Sequence, residues 1–289
     1  MDQKNHININ TEYGIKVTVF PDSQPHVRIN DDISNGVTVV CSIINTDILF
    51  KLLLVADALK EKGITDKYLY ISYLFGARYD RVMRSGDSFD LRVVSNLVNS
   101  CDFSKVYIID PHSSVSTLLI NNSKECHPIP EMVYKLINHN ELEKPVFIAP
   151  DFGATKKLDG YVKKLKNTFS ISVNDIVYCN KHRDVGTGSI KLTVLDPEKC
   201  KDRNCVIMDD ICDGGGTFIE IAKQLEAAKP KTLSLVVTHG IFSKGFDELK
   251  KYFTHIYTTN SLCKQYNDPI VKVLDLSAIS LGNMTLDLE

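Results

Sequence analysis

Val206-Ile-Met-Asp209-Asp210-Ile-Cys-Asp213-Gly214-Gly215-Gly216-Thr217 is the stretch that decides the fold. A short apolar run ends in two adjacent acids, and a glycine run then opens a helix-periodic segment over residues 216–228. Consecutive glycines let successive backbone N–H groups point at one anion, and a helix N-terminus adds its positive end. Thr217 brings a hydroxyl to the same anion, and the carboxylates of Asp209 and Asp210 suit the vicinal hydroxyls of a ribose. No Gly-Lys-Ser/Thr follows, so this is not a Walker-type loop. The pattern predicts a sugar-phosphate site on a strand–turn–helix unit. The competing reading is a plain strand-to-helix turn with solvated acids.

The same rhythm repeats outward from that unit. Strand-like runs at 37–41, 68–73, 106–110, 146–150 and 232–239 alternate with helix-periodic stretches at 47–62, 89–100 and 154–166. This alternation predicts parallel βαβ units and an α/β fold. At about 100–200 residues per domain, 289 residues imply two domains. Pro128 and Pro130 punctuate the pattern and place the seam within 126–140, giving domains 1–130 and 131–289.

Composition narrows the function classes. A formal charge of −2 argues against a generic nucleic-acid binder, so an anionic ligand must be held by local devices. The eight cysteines form no C-x-x-C pair and several adjoin apolar runs, which predicts free thiols in a reducing cytosol. No apolar run approaches the roughly 18–20 residues of a bilayer span. A cytoplasmic protein without membrane or nucleic-acid partners is expected.

In parallel sheets ligands collect beyond the carboxyl ends of the strands, so those ends are the places to search. After the strand at 68–73 comes Gly76-Ala-Arg78-Tyr79-Asp80-Arg81, followed by Arg84. Arginine forks suit phosphate oxygens and Asp80 can orient them, although the segment alone is as readily a solvated basic loop. His112, in Asp110-Pro-His112, and Asp151, in Pro150-Asp-Phe-Gly153, are candidate Mg²⁺ ligands beside a diphosphate. Read alone, a single histidine is more often structural. Asn180-Lys181-His-Arg183-Asp184 with Gly186-Thr-Gly188 suits a lid carrying cations to a transferring phosphate, and by itself it equally fits a solvated turn.

Taken in order, Phe20-Pro-Asp22-Ser-Gln24, Ala77-Arg78-Tyr79-Asp80-Arg81, Asp110-Pro-His112, Pro150-Asp151-x-Gly153, Lys181-x-Arg183, Asp209-Asp210-x-x-Asp213-x-Gly-Gly-Thr217 and Thr238-His-Gly-Ile-Phe-Ser243 resemble the ribose-phosphate diphosphokinases, or PRPP synthetases. The resemblance runs from about residue 18 to about residue 262. It implies two phosphoribosyltransferase-type, Rossmann-like domains with mostly parallel sheets and an active site between them. It also implies transfer of the β,γ-diphosphate of ATP to the anomeric hydroxyl of ribose 5-phosphate, with Mg²⁺ as cofactor. Carried over residue by residue, Phe20, Asp22, Gln24, Arg78, Tyr79, Asp80, Arg81 and His112 are expected at ATP, and His112 and Asp151 at Mg²⁺. Lys181 and Arg183 are expected to be catalytic, and Asp209, Asp210, Asp213, Gly214, Gly215, Gly216 and Thr217 to hold the ribose phosphate. A homo-oligomer, dimer-based and as large as a hexamer, is implied as well.

Departures from the family pattern stand beside the matches. Ser23-Gln24 replaces the usual Gly-Glu, Tyr79 replaces Gln, and residues 84–89 lack the usual basic and proline segment. The segment after Asp275 is shorter than usual and shows no closing helix. Gly214 stands where the family has Thr, which removes a hydroxyl and is expected to clear space beside the 5-phosphate. That space would admit ADP-ribose as acceptor, as in phage-type relatives serving NAD metabolism in a host cytoplasm. A simple phosphoribosyltransferase would not need the Arg78–Arg81 cluster, and an inactive regulatory homologue would have lost site charges that this chain keeps.

Overall fold

The computed structural model describes residues 5–139, 142–173, 175–183 and 190–278. The chain forms two compact units. One runs to Cys126 and takes in Ser261–Cys263; the other runs from His127 to Asn260 and from Lys264 onward.

The first unit contains β1 (His6–Asn8), β2 (Ile15–Val19), β3 (Pro25–Ile29), β4 (Val37–Ile43), α1 (Thr46–Glu61), β5 (Lys67–Leu74), α2 (Asp90–Asn99), β6 (Lys105–Ile109), α3 (Val115–Leu119) and β7 (Ser123–Cys126). Strands β1-β4-β5-β6-β7 form one sheet in chain order, parallel throughout. Val37, Val39, Cys41 and Ile43 of β4 are completely buried, as a strand covered on both faces requires. The helix α1 starts where the Asn45 side chain accepts from the Ile48 amide at 3.0 Å. It buries Leu52, Val55 and Leu59, one face at helical spacing. Strands β2 and β3 pair only with each other, antiparallel. The return of the chain at Ser261 is pinned in this unit, its carbonyl accepting from the hydroxyls of Ser42 at 2.5 Å and Ser72 at 3.1 Å.

The second unit contains α4 (Ile129–Asn138), β8 (Val146–Ala149), α5 (Phe152–Phe169), β9 (Ile176–Arg183), β10 (Ile190–Val194), β11 (Asn204–Cys212), α6 (Gly216–Leu225), β12 (Thr232–Gly240), β13 (His255–Thr259) and β14 (Val271–Leu274). The sheet order is β10-β9-β8-β11-β12-β13-β14, and only the β9–β10 pair is antiparallel. Strand β8 pairs with β9 on one side and β11 on the other, so the chain order turns back between β8 and β11. Such a switch point opens a crevice at the carboxyl ends of its two strands. Here those ends carry Pro150-Asp151 and Asp209-Asp210.

The α/β class with mostly parallel sheets is as expected. The prolines at 128 and 130 do not interrupt structure: they open α4, where a first-turn residue lacks an intrahelical partner for its N–H. All eight cysteines are free, seven of them buried. Burial pushes the Cys101 thiol up to about 11 and the Cys179 thiol up to about 12, so these two pack as small apolar groups. No helix among the described residues is long and apolar enough to cross a membrane.

Candidate active site

In the second unit β11 runs on to Cys212, so Asp209 and Asp210 belong to the last turns of the pleat and not to the loop beyond it. Gly215 caps α6 at φ +77°, a left-handed backbone open to glycine. The helix then begins at Gly216, with Thr217 in its first turn. The first amides of a helix have no acceptor within the helix itself.

Acidic charge is concentrated at the switch point. Loss of hydration pushes the Asp209 carboxyl well above the usual carboxylate range, and the neighbouring Asp210 and Asp151 push it further. Asp210 is buried, and Lys157 of α5 approaches it at 3.8 Å. Asp151 caps α5, its Oδ1 accepting from the Ala154 amide at 3.0 Å, which leaves its second oxygen for other work.

In the first unit the arginines stand on the irregular segment between β5 and α2. Arg78 and Arg81 are exposed, and Arg81 Nε lies 3.3 Å from Asp80 Oδ1, so Asp80 orients one of the two forks. Tyr79 is half exposed and its carbonyl accepts from the Leu91 amide, tying the segment to α2. Phe20, Asp22 and Gln24 form the tip of the β2–β3 hairpin. The Phe20 amide donates to the Gln24 carbonyl at 2.9 Å, and Asp22 accepts from the Gln24 amide at 3.1 Å. Asp22 is therefore partly occupied in shaping the turn, while Phe20 is 48% exposed. At the end of β6, Asp110 is fully buried with φ +39°, a strained backbone directly before Pro111 and the exposed His112.

A family model for the phosphoribosyl transferase domain matches residues 120–267, just over half of the chain. The chain belongs to the phosphoribosyl transferase family. Its relatives there include the ribose-phosphate pyrophosphokinase of Sulfurisphaera tokodaii, 26% identical over 266 residues that cover 90% of this chain and 87% of that one. That of Thermococcus kodakarensis is 27% identical over 253 residues, covering 86% and 85%. The phosphoribosylpyrophosphate synthetase structure from Mycobacterium smegmatis shares the fold, with TM-score 0.78, 18% identity and 95% of each chain covered. The expected family resemblance holds, and this phosphoribosyl transferase family member is a transferase of the ribose-phosphate diphosphokinase type.

Within the family frame, the second unit brings Asp151, Asp209, Asp210 and the loop from Asp213 to Thr217 to the ends of β8 and β11. His112 and Asp151 stand in different units. Lys181 and Arg183 close β9, opposite Leu192 and Ile190 of β10; their side chains, and residues 184–189, lie outside the described residues. The segment read as a lid loop is thus, in its first part, a strand of an antiparallel arm. The expected clearing beside Gly214 is corrected: a Cβ at that position would meet Lys244 Cδ at 3.2 Å and Cε at 3.3 Å, so a lysine stem fills the space. Gly214 is not left-handed either; that conformation belongs to Gly215, whose added Cβ would meet Leu249 Cδ2 at 3.0 Å. Lys157, Lys244 and Leu249 escape sequence reasoning. Each meets its partner across thirty or more residues of chain, Lys157 at Asp210, Lys244 at Gly214 and Leu249 at Gly215.

Proposed function

We propose that the protein transfers the β,γ-diphosphate of ATP to the 1-hydroxyl of ribose 5-phosphate, forming PRPP and releasing AMP. The observation that carries this reading is the β8–β11 switch point, where acids and a glycine-capped helix start stand together. Amides at the start of α6 and the Thr217 hydroxyl are assigned to the 5-phosphate, and Asp209 and Asp210 to the ribose hydroxyls. Arg78, Tyr79, Asp80 and Arg81, the hairpin tip with Phe20, Asp22 and Gln24, and His112 are assigned to ATP. The 1-hydroxyl oxygen attacks the β-phosphorus, the bond from that phosphorus to the α-phosphate oxygen breaks, and AMP leaves. Lys181 and Arg183 meet the negative charge that builds on the diphosphate during transfer.

Among the described residues no group of three or more His, Cys, Asp or Glu forms a metal cage. The donor set nonetheless fits Mg²⁺, which uses one or two carboxylates and takes its remaining ligands from water and phosphate. Burial is the main cause of the raised Asp209 carboxyl, and the neighbouring carboxylates of Asp210 and Asp151 that add to it are the groups a divalent cation would favour. Asp151 and His112 are the residues that would hold it, and when bound it neutralises the diphosphate.

ADP-ribose is the second acceptor in this reading, although the Lys244 stem fills the space beside Gly214 that was expected to admit it. A non-catalytic, regulatory role is disfavoured because Lys181, Arg183, His112 and all three loop acids are kept. The exposed Val19 and Phe20 at the hairpin end support a homo-oligomer. The assay is incubation with ATP, Mg²⁺ and each acceptor. Acceptor-dependent AMP is expected; stoichiometric ADP, or no acceptor-dependent use of ATP, refutes the proposal.

A further inference from the structure

The segment after β12 is laid over the glycine run and carries a cation with it. Backbone bonds fix the overlap. The amides of Ile241 and Phe242 donate to the Cys212 carbonyl at 2.9 and 3.1 Å, and that of Ser243 to the Asp213 carbonyl at 3.2 Å. Phe242 takes a left-handed φ of +46° and presses its ring on Gly240, where an added Cβ would meet Cε2 at 2.2 Å. The course of the chain into residue 244 is therefore set by packing and not by solvent. Leu249, 2% exposed, then covers Gly215.

Lys244 covers Gly214. Its Cγ, Cδ and Cε lie 3.5, 3.2 and 3.3 Å from where a Cβ would stand, so three methylenes lie along the bare face of the glycine. The ammonium is one bond further on, at the phosphate loop. The residue is exposed, and no hydrogen bond or ion pair engages its ammonium among the described residues. A lysine whose only work was to shield a glycine could do so with any course of its stem. This one is held beside the glycine-capped start of α6, the end of a helix that favours an anion.

We propose that Lys244 is an acceptor-binding residue that holds the 5-phosphoryl group. The proposal rests on the reading of this loop as a ribose-phosphate site. Backbone amides fix the direction of phosphate oxygens, whereas an ammonium on a four-carbon stem is a mobile point charge with three rotatable donors. It follows a phosphate whether that phosphate is terminal or esterified. The ligand class is therefore a ribose 5-phosphoryl compound, and ribose 5-phosphate and ADP-ribose are the two probes.

The test compares the parent with Lys244→Met, which keeps the stem, and Lys244→Arg, which keeps the charge. Lys244→Met raises the acceptor KM about ten-fold or more, as loss of a hydrogen bond to a charged group does. Turnover and the ATP KM stay as in the parent, the salt dependence of acceptor binding weakens, and Lys244→Arg restores both. Equal acceptor binding by parent and Lys244→Met, or equal loss in the Met and Arg variants, overturns the proposal. If the parent transfers diphosphate to neither probe, the transferase reading fails separately. Calorimetric titration with ribose 5-phosphate then decides the matter for Lys244, and a parent that binds it no better than Lys244→Met overturns the assignment.

Discussion

Both sheets are built from parallel βαβ units, and they differ in how the strands are ordered. In the first unit β4, β5, β6 and β7 follow one another across the sheet, so no pair of neighbouring strand ends is left unbridged by the chain order. In the second, the order turns back between β8 and β11, and a crevice opens there. The candidate groups divide accordingly. The switch-point sheet carries acids on strand ends and a glycine turn closed by Lys244 and Leu249. The sequential sheet carries exposed arginines on residues 75–89, where Gly86 at φ +92° has nothing near it. A switch point thus presents charge on the strand ends themselves, whereas a sequential sheet borrows an irregular loop to do so.

The largest expected effect tests whether chemistry belongs to the switch-point sheet. Lys181→Ala and Arg183→Ala, at the end of β9, should each lower turnover by about 10²–10³-fold with little change in KM, as loss of a transition-state charge contact does. Steady-state kinetics with both substrates checks this, and near-normal turnover removes β9 from the mechanism. A reciprocal pair of variants sharpens the division. Asp210→Asn should weaken acceptor binding and spare ATP, while Arg78→Ala should weaken ATP about ten-fold and spare the acceptor. Calorimetric titration of each ligand reads the result, and parallel losses would erase the contrast between the units.

One substitution made in both loops gives a smaller effect. Alanine in a left-handed conformation costs about 1–2 kcal/mol. Gly86→Ala should cost only that, whereas Gly215→Ala also presses on Leu249 and should lower the unfolding midpoint further. Denaturant titration of the two variants measures the difference. The smallest effect concerns pH. Asp209 holds its proton to higher pH in the native protein than in the unfolded chain. The native state therefore binds more protons between the ordinary carboxylate range and the raised value, and stability falls as pH rises through that window. Asp209→Asn should flatten this part of the Tm–pH curve while weakening the acceptor.

The strands buried on both faces were legible because of their apolar runs: 37–41, 68–73 and 206–208 all lie inside observed strands. The hairpin was not. Ile15-Lys-Val-Thr-Val19 alternates and pairs only with β3, so its signal is short and half polar. Strand β9 ends in Asn180-Lys-His-Arg183, residues that read as a turn until β10 is seen beside them. At the site, the glycine at 215 was legible because backbone geometry demands it. Lys244 was not, since its contact with Gly214 crosses thirty residues, by the numbering, and exposed lysines look alike in a sequence. The family-level motifs supplied residue identities that periodicity alone does not reach.

The carbonyl of Ser261 bears on how the chain matures as it is made. Domains ordinarily fold in turn as they leave the ribosome, N-terminal first. Here the buried hydroxyls of Ser42 and Ser72 donate to a carbonyl 219 and 189 residues downstream. The N-terminal unit can collapse early around its own sheet, but it reaches its final hydrogen bonding only after nearly all of the C-terminal unit has been synthesised. Vectorial synthesis therefore leaves an interval in which the first unit is compact yet unfinished, and it ends when the late segment threads home.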